Sequence, residues 1–294
     1  MNICFSTLGC TDRSLANILE LAVNYGIDGL EIRGIGSRMN NSDIPELSAE
    51  KADETMDMLG AAGVKPIVLG TSCKFHDAEK LAKAIKEGRE SIDIATRLNI
   101  PYIRVFGNNI VGDSAECTER VAGGIARLCE YARGTGVSVL LEVHGDFITV
   151  GTLLPIVEKL REYDNFGLIW DIAHTHRVYR EGWREFYDVM KPHIRHVHVK
   201  DLRDSDNALV LPGQGNIPIR PIVDALLSDG YSGYFSLEWE KKWHPELDDI
   251  EAALSCYGVD ETTPGEPVTA YAEVPVVKEG VTFYMAGDLY IVFY

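Results

Sequence analysis

The sequence predicts a closed (β/α)8 TIM barrel followed by a short C-terminal β appendage. An initial strand is followed by seven copies of one helix, turn and strand unit, and nearly all the predicted strands are short and apolar. Such strands, alternating with amphipathic helices, are typical of a parallel sheet buried on both faces. Eight of them over about 250 residues match the usual size of a closed barrel.

The repeating unit is clearest in its first copy, over residues 15–32. Leu15, Ile18 and Leu19 recur at helical spacing, and Gly26 stands where a helix cap in the left-handed region is needed. A strand then follows at residues 29–32. With an initial strand at residues 3–6, the same pattern predicts strands at residues 66–69, 102–106, 138–143, 167–171, 194–199 and 234–238, and a closing helix at residues 247–257.

The competing architecture is an open, doubly wound sheet that binds a dinucleotide. Such a sheet carries G-x-G-x-x-G after its first strand, but residues 6–10 here read S-T-L-G-C. The missing fingerprint favours the barrel.

Composition narrows the possible partners. With 28 Lys and Arg against 45 Asp and Glu, the formal charge is −17, which opposes binding to a nucleic-acid backbone. No basic flank precedes an apolar run near residue 1, and no stretch approaches the roughly 20 apolar residues that span a bilayer. We therefore expect a soluble cytoplasmic protein with neither nucleic-acid nor membrane partners. The six scattered cysteines form no C-x-x-C pair, so reduced thiols are expected.

Four consecutive predicted strands end in residues that could bind a metal. They are Glu142, Asp171, His198 and Glu238. In a barrel, such positions point into the mouth, where chemistry is located. Buried carboxylates cost several kcal/mol unless they are paired or bound to a cation. Three carboxylates and one imidazole suit one divalent ion, Mn²⁺, Mg²⁺, Co²⁺ or Zn²⁺, and the lack of thiolates gives no reason for strong zinc selectivity.

Each of the four residues also has an ordinary structural explanation. Glu142 and Glu238 could form ion pairs with Arg104 or Lys200, His198 could be a hydrogen-bonded core histidine, and Asp171 could cap the helix that follows it. Core packing alone, however, does not account for four ligand-type residues at the ends of four successive strands. Together they favour the metal site.

The motifs around these residues resemble those of the sugar phosphate isomerase/epimerase family, the xylose-isomerase-like barrels. They are D-x-x-H after one strand, H-x-H-x-K-D after the next, P-G-Q-G at residues 212–215 and L-E-W-E at the last strand. The resemblance covers about residues 1–250. It implies one divalent metal held by those four residues, with a substrate hydroxyl and carbonyl completing the coordination.

The resemblance also implies a reaction. In the ketose epimerases and hydroxypyruvate isomerases that this sequence resembles, glutamates at the first and last ligand positions act as acid and base on either side of the substrate. Here these are Glu142 and Glu238. Metal-assisted proton removal next to a carbonyl gives a cis-enediolate, and the position to which the proton returns decides between epimerisation and isomerisation. The expected substrate is a small sugar or sugar derivative.

Two histidines are candidate substrate contacts. His174 resembles the family's substrate-binding histidine, although a surface position in the loop is the alternative. His144 lies two residues beyond Glu142, where it could contact substrate or orient the glutamate.

Cationic and aromatic residues near the predicted mouth form a second candidate group. Lys200 and Arg203 could hold a substrate phosphate or carboxylate, or could instead pair with the neighbouring Asp201 and Asp204. At the end of the second strand, Glu31 and Arg33 could form an ion pair or orient substrate, and Trp239 and Trp243 could wall a sugar pocket or cover the core.

Three other functions remain open at this point. A dehydratase acting on an inosose or on dehydroshikimate would use the same metal and base to eliminate water. A phosphodiesterase resembling apurinic endonuclease IV would need additional histidines at the ends of the second and third strands, where the sequence has residues 31–34 (E-I-R-G) and 69–71 (L-G-T). A non-catalytic sugar-binding protein would bind sugar tightly without turnover.

The chain continues beyond the predicted barrel, which we place at residues 1–257. Residues 258–294 form the β appendage, with strands predicted at residues 274–277, 281–285 and 289–294. Apolar strands left open at an edge tend to aggregate, so these are expected to pack on the barrel or to pair with another subunit. A homodimer is a reasonable expectation.

Overall fold

Eight parallel strands close into the predicted barrel in a computed structural model that describes residues 1–261 and 289–292. In chain order the strands are β1 (Asn2–Ser6), β2 (Gly29–Ile32), β3 (Lys65–Lys74), β4 (Tyr102–Phe106), β5 (Ser138–Glu142), β6 (Phe166–Asp171), β7 (Ile194–Val199), β8 (Asp201–Arg203), β9 (Ala208–Val210), β10 (Tyr234–Leu237), β11 (Gly258–Glu261) and β12 (Leu289–Val292). The barrel consists of β1 to β7 and β10, with β10 paired to both β7 and β1. The predicted fold class is confirmed.

Helices connect the barrel strands. They are α1 (Leu15–Asn24), α2 (Ala52–Ala62), α3 (Leu81–Arg97), α4 (Ser114–Tyr131), α5 (Val150–Lys159), α6 (Ile172–Tyr179), α7 (Arg184–Met190), α8 (Ile219–Ser228) and α9 (Ile250–Ser255). Short 3₁₀ turns lie at Thr7–Cys10, Asn41–Asp43, Pro45–Leu47, Arg180–Gly182 and Lys191–His193. In the described part of the chain, no helix is both long and apolar enough to cross a membrane.

Side-chain caps fix where several helices begin. Ser14 accepts a hydrogen bond from Asn17 N at the start of α1, and Asp113 accepts one from Glu116 N at the start of α4. At the start of α5, Thr149 and Thr152 form a reciprocal capping box. These caps set where each strand-to-helix connection ends.

The main apolar core includes side chains of both the barrel strands and the helices around them. Ile92 of α3, Leu128 of α4 and Val105 of β4 are all fully buried in it. The cysteines join this packing, since five are buried, Cys256 is half-buried, and all six lie in the described range without a disulfide. Burial raises the pKa of the Cys10 thiol to about 12, so it stays protonated.

Strand register brings the predicted site residues to one end of the barrel. Asp171 at the end of β6 pairs in register with His198 of β7, and Phe106 at the end of β4 pairs with Glu142 of β5. Because all eight strands are parallel, their carboxyl ends form one mouth. The strand ends predicted at residues 143 and 238 lie one residue later than in the structure.

A small hairpin, which the sequence analysis did not predict, follows β7. It is formed by β8 and β9 and is tied to the P-G-Q-G turn by one carboxylate. Asp201 accepts backbone hydrogen bonds from Leu202, Gly213, Gly215 and Ile217 at 2.8 to 3.2 Å. A Cβ at Gly215 would lie 2.1 Å from the Asp201 Oδ1, so only glycine allows this approach. The motif H-x-H-x-K-D and the turn are therefore one structural unit.

The C-terminal part of the prediction is only partly within the described residues. β12 lies within the predicted strand at residues 289–294 and pairs antiparallel with β11, which was not predicted. The strands predicted at residues 274–277 and 281–285 lie outside the described residues. The closing helix predicted at residues 247–257 is the shorter α9. The domain boundary at residue 257 and the homodimer stay predictions.

We expect Asp201→Asn to lower the free energy of unfolding by about 2 to 4 kcal/mol, because an amide nitrogen would face backbone N–H donors and leave them unsatisfied. Urea titration followed by circular dichroism measures this change. Asp206→Asn, at an exposed carboxylate that pairs with Arg203, is the matched control and should cost less than about 1 kcal/mol. Equal effects of the two variants would contradict this role of Asp201.

Candidate functional site

The structure brings together the four residues predicted to bind a metal. Glu142 ends β5, Asp171 ends β6, His198 lies near the end of β7, and Glu238 follows β10. All are buried, with at most 3% of each residue exposed. One potential ligand atom from each lies within 4.8 Å of the others. The mouth therefore contains three carboxylates and one imidazole at metal-binding separations.

His198 is oriented by a carboxylate from the other side of the barrel. Its Nε2 lies 2.8 Å from Glu31 Oε2, so Nε2–H donates and Nδ1 points to the cluster. Nδ1 lies 3.4 Å from Glu238 Oε2 and 4.0 Å from both Glu142 Oε2 and Asp171 Oδ2. Among the described residues this buried Nδ1 has no hydrogen-bond partner. It is the nitrogen left for a metal.

Glu31 is shared by two histidines of β7. Its Oε2 also lies 3.2 Å from His196 Nε2 and accepts a hydrogen bond from Ser236 Oγ at 3.4 Å. Burial alone would raise the pKa of Glu31, but His198 and His196 hold it well below its usual value. Burial likewise tends to lower the pKa of His198, yet the carboxylates of Glu238 and Glu31 raise it well above normal. A metal at Nδ1 would compete with this proton.

The two oxygens of Asp171 have different partners. Oδ1 accepts hydrogen bonds from Ala173 N at 2.9 Å and His174 N at 3.0 Å and so caps α6. Oδ2 faces the cluster and lies 2.8 Å from Lys200 Nζ. The helix-cap explanation is confirmed, but it uses only one oxygen and leaves the other available as a ligand.

The predicted alternative ion pairs are also present. Arg104 Nη1 lies 2.9 Å from Glu142 Oε2 and 3.6 Å from Glu238 Oε1. Lys200 Nζ lies 2.7 Å from Glu238 Oε2 and also contacts Glu240. These ion pairs neutralise only part of the negative charge of the cluster.

The remaining charge fits a divalent ion. The three carboxylates of the cluster and Glu240 face Arg104 and Lys200, while the protonated His198 is offset by Glu31. Two negative charges are left. This excess is reflected in Glu142, whose pKa is raised to about 7, mainly by burial, with Glu238 adding to the effect and Arg104 opposing it. The free His198 nitrogen and the donor set therefore suit a divalent metal.

His144 and His174 line a cavity of about 260 Å³ above the cluster. Their rings form a T-shaped contact with centroids 4.5 Å apart, and His174 Nε2 lies 3.5 Å from Asp171 Oδ2. Burial lowers the pKa of each to about 4, so both are neutral hydrogen-bonding groups near pH 7. His174 is buried, so the alternative of a surface position is wrong.

The two cations predicted to contact substrate differ in position. Lys200 is buried and lines the cavity. Arg203 is exposed, pairs with Asp206 at 2.7 Å, and is not among the cavity-lining residues. The structure therefore does not bring Arg203 to the site. Neither cation pairs with Asp201 or Asp204, so the alternative of ion pairs with these neighbours is wrong.

Other residues complete the cavity in ways that sequence spacing alone did not resolve. Glu31 and Arg33 do not pair with each other, because Glu31 points to the histidines and Arg33 to Met39 O and Ser72 Oγ. Trp243 lines the cavity, whereas Trp239 is buried and donates to Asp248 O. The sequence analysis did not single out His196 and Glu240, which contact Glu31 and Lys200 at the site. The motifs contained a signal for both, because His196 is the first histidine of H-x-H and Glu240 is the second acid of L-E-W-E.

Comparison with known proteins places this barrel in a family. A family model described as a xylose isomerase-like TIM barrel matches residues 19–257. The chain belongs to this family. The xylose isomerase-like assignment confirms the resemblance that the motifs suggested.

Members of the xylose isomerase-like family that are similar to this chain include dehydratases and epimerases. Inosose dehydratase of Serratia proteamaculans (strain 568) is 30% identical over 244 residues, which cover 72% of each chain. Fructoselysine 3-epimerase of Escherichia coli O157:H7 is 25% identical over 124 residues, or 40% of this chain and 44% of the epimerase. The crystal structure of the IolI protein with a bound zinc atom superposes with a TM-score of 0.70 at 22% identity, covering 86% of this chain and 94% of IolI. That structural likeness supports the fold.

We expect Glu31→Gln to weaken binding of a divalent metal by about 10- to 100-fold, because an amide is a poorer partner for the imidazole opposite the metal. Competition with a fluorescent chelator measures the affinity, and ¹⁵N NMR of the metal-free protein reports the protonation of His198 independently. Glu130→Gln, at an exposed glutamate on α4, is the control and should match the wild type. Unchanged affinity together with an unchanged His198 spectrum would contradict this role of Glu31.

Proposed function

We propose that this protein is a divalent-metal-dependent isomerase or epimerase acting on a sugar or sugar derivative. The observation that carries the proposal is the convergence of Glu142, Asp171, His198 and Glu238 within one buried mouth. Two of these residues are glutamates, one at the end of β5 and one directly after β10, that approach the same guanidinium nitrogen of Arg104. The arrangement suits proton transfer next to a polarised carbonyl.

The proposed metal ligands are one oxygen each of Glu142, Asp171 and Glu238 together with His198 Nδ1. Mn²⁺, Mg²⁺, Co²⁺ and Zn²⁺ are all compatible with this set, and zinc is the ion bound in IolI. When bound, the ion would polarise the substrate carbonyl and acidify the adjacent C–H group. Asp171, held by the start of α6, and His198, held by Glu31, would set the ligand positions.

In this proposal Glu142 and Glu238 move the proton. One takes it from the carbon next to the carbonyl, and the other returns a proton to the opposite face or to the neighbouring carbon. Arg104 bridges the two glutamates and limits their movement. Because both side chains are buried, bulk water would not compete for the proton.

The cavity supports a small polar substrate. Its volume of about 260 Å³ lies below the roughly 300 to 1,000 Å³ of drug-sized ligand sites, which favours a molecule of monosaccharide size. We propose that neutral His144 and His174 hydrogen-bond to substrate hydroxyls and that Lys200 keeps Glu238 and Asp171 in position.

A second candidate is a metal-dependent dehydratase, and the 30% identity to inosose dehydratase favours it. It would share the first step, removal of a proton next to a carbonyl. The difference is the fate of the electron pair left on carbon. In a dehydratase it would form a carbon–carbon double bond and break the bond to a β-hydroxyl, which would take a proton from the other glutamate and leave as water. The same residues serve both outcomes, so the product separates the candidates.

We expect the purified wild type to contain about one equivalent of a divalent metal and to exchange a substrate C–H for deuterium in D₂O. Elemental analysis and ¹H NMR with a panel of ketoses and inososes measure both properties. A product of unchanged mass apart from deuterium identifies an isomerase or epimerase, and loss of water identifies a dehydratase.

Glu142→Gln and Glu238→Gln should each slow the exchange by at least about 10²- to 10⁴-fold, because the group that transfers the proton is removed. Glu130→Gln is again the matched surface control. Equal exchange in the wild type and both site variants, or full activity after complete metal removal, would contradict the proposal.

A further inference from the structure

One wall of the cavity has a charge opposite to that of the carboxylate cluster. It is formed by residues that β2, β3 and β4 bring to the mouth, and its central residue is Arg33, directly after β2. Arg33 is 6% exposed, and its guanidinium donates to Met39 O and to Ser72 Oγ, both at 2.9 Å. Among the side chains that the structure describes, no carboxylate forms an ion pair with it.

An unpaired buried guanidinium is costly, because desolvation of its charge is not offset by an anion. Burial, together with the nearby charge of Arg104, lowers the pKa of Arg33 to about 10. This shift agrees with the lack of an anionic partner. Glu87 is the nearby acid that opposes the shift most, but its carboxylate accepts the Ser72 N–H at 2.5 Å instead of contacting Arg33. Arg33 thus faces the cavity as an incompletely compensated cation.

The backbone of β3 makes room for this arginine. A Cβ at Gly70 would lie 2.6 Å from Arg33 Cδ and 3.3 Å from Arg104 Nη2, so any larger residue would push the Arg33 side chain aside and crowd Arg104. Arg104 is neutralised by Glu142, whereas Arg33 is not. The position of Arg33 is therefore built into the barrel and is not an accident of a mobile surface side chain.

Two further groups on β3 line the same wall. Ser72 contributes a hydroxyl, and Lys74 contributes an exposed ammonium for which the described side chains provide no ion-pair partner. A local excess of cations is unexpected in a chain of formal charge −17. Such a patch would attract anions, which the overall negative charge of the chain repels.

We propose that Arg33, Ser72 and Lys74 form an anion-binding subsite for a carboxylate or phosphate on the substrate, opposite the carboxylate cluster. The guanidinium has five N–H donors and uses only some of them on Met39 and Ser72, so a planar carboxylate or a phosphate can bind to the others. The assignment of this anion to a substrate rests on the proposed function, whereas anion binding itself does not. The substrate class is therefore an anionic sugar derivative, a sugar phosphate or a sugar acid.

The first test uses inorganic phosphate and metal-stripped full-length protein, so that a bound metal cannot contribute. Isothermal titration calorimetry should show phosphate binding to the wild type that weakens as salt concentration rises. Arg33→Met should reduce the affinity at least tenfold, and Arg33→Lys should give an intermediate value because it keeps the charge but not the forked geometry. Arg127→Met, at an exposed arginine on α4, should match the wild type.

Lys74→Met tests the same subsite at an exposed residue, where folding is not at risk. It should weaken phosphate binding several-fold and reduce its salt dependence. The proposal would be overturned if Lys74→Met and the Arg33 variants all bound phosphate as tightly as the wild type. Arg33→Lys serves for this comparison if Arg33→Met does not fold.

The second test uses the metal-loaded enzyme and three substrates of equal chain length, a neutral ketose, its phosphate ester and the corresponding keto acid. Deuterium exchange should favour an anionic form, and Lys74→Met should lower kcat/KM for that form by a larger factor than for the neutral ketose. Preference for the ester identifies phosphate, and preference for the acid identifies carboxylate. A wild type that prefers the neutral ketose would overturn the substrate assignment. Phosphate binding lost in the Arg33 variants, with no exchange on any substrate, would leave the subsite standing and contradict the proposed function.

Discussion

Electrostatic repulsion among buried carboxylates is the constraint to which the barrel mouth is adapted. Glu142, Asp171 and Glu238 come from three strands and would not stay close together, ionised and desolvated, without compensation. Arg104 and Lys200 supply two positive charges, both from strands of the same barrel or directly beyond them. Together with Glu240 the cluster still has two uncompensated negative charges, which suit one divalent cation.

Fixed hydrogen-bond partners keep this crowded cluster in a single arrangement. The N–H groups at the start of α6 hold Asp171, and the carboxylate of Glu31 holds the imidazole of His198. These hydrogen-bond partners belong to residues that lie outside the cluster and are themselves buried. The ligand positions therefore depend on the barrel closing correctly, since Glu31 lies on β2 and His198 on β7.

Local sequence patterns were sufficient to predict the barrel strands and the four clustered residues, because strand ends in a parallel barrel share one mouth. Contacts across the barrel had no such signal. The Glu31 to His198 contact joins residues 167 positions apart, so spacing within a motif does not reveal it. Arg203 was misjudged for a different reason, since the hairpin of β8 and β9 was not predicted and turns its side chain to the nearby Asp206 and to solvent. The predicted closing helix was too long because Trp239 and Lys241 bind the carbonyls of Asp248 and Leu247, which keeps that segment out of the helix.

The two oxygens of Asp171 connect events in the mouth to the integrity of the outer layer. A ligand that draws Oδ2 inward also tightens or loosens the hold of Oδ1 on the first turn of α6, because both belong to one rigid carboxylate. Occupancy of the mouth and resistance of this helix to local opening are thus thermodynamically linked. A change in the exchange rates of the backbone amides of Ala173 and His174 would therefore report whether the mouth is occupied.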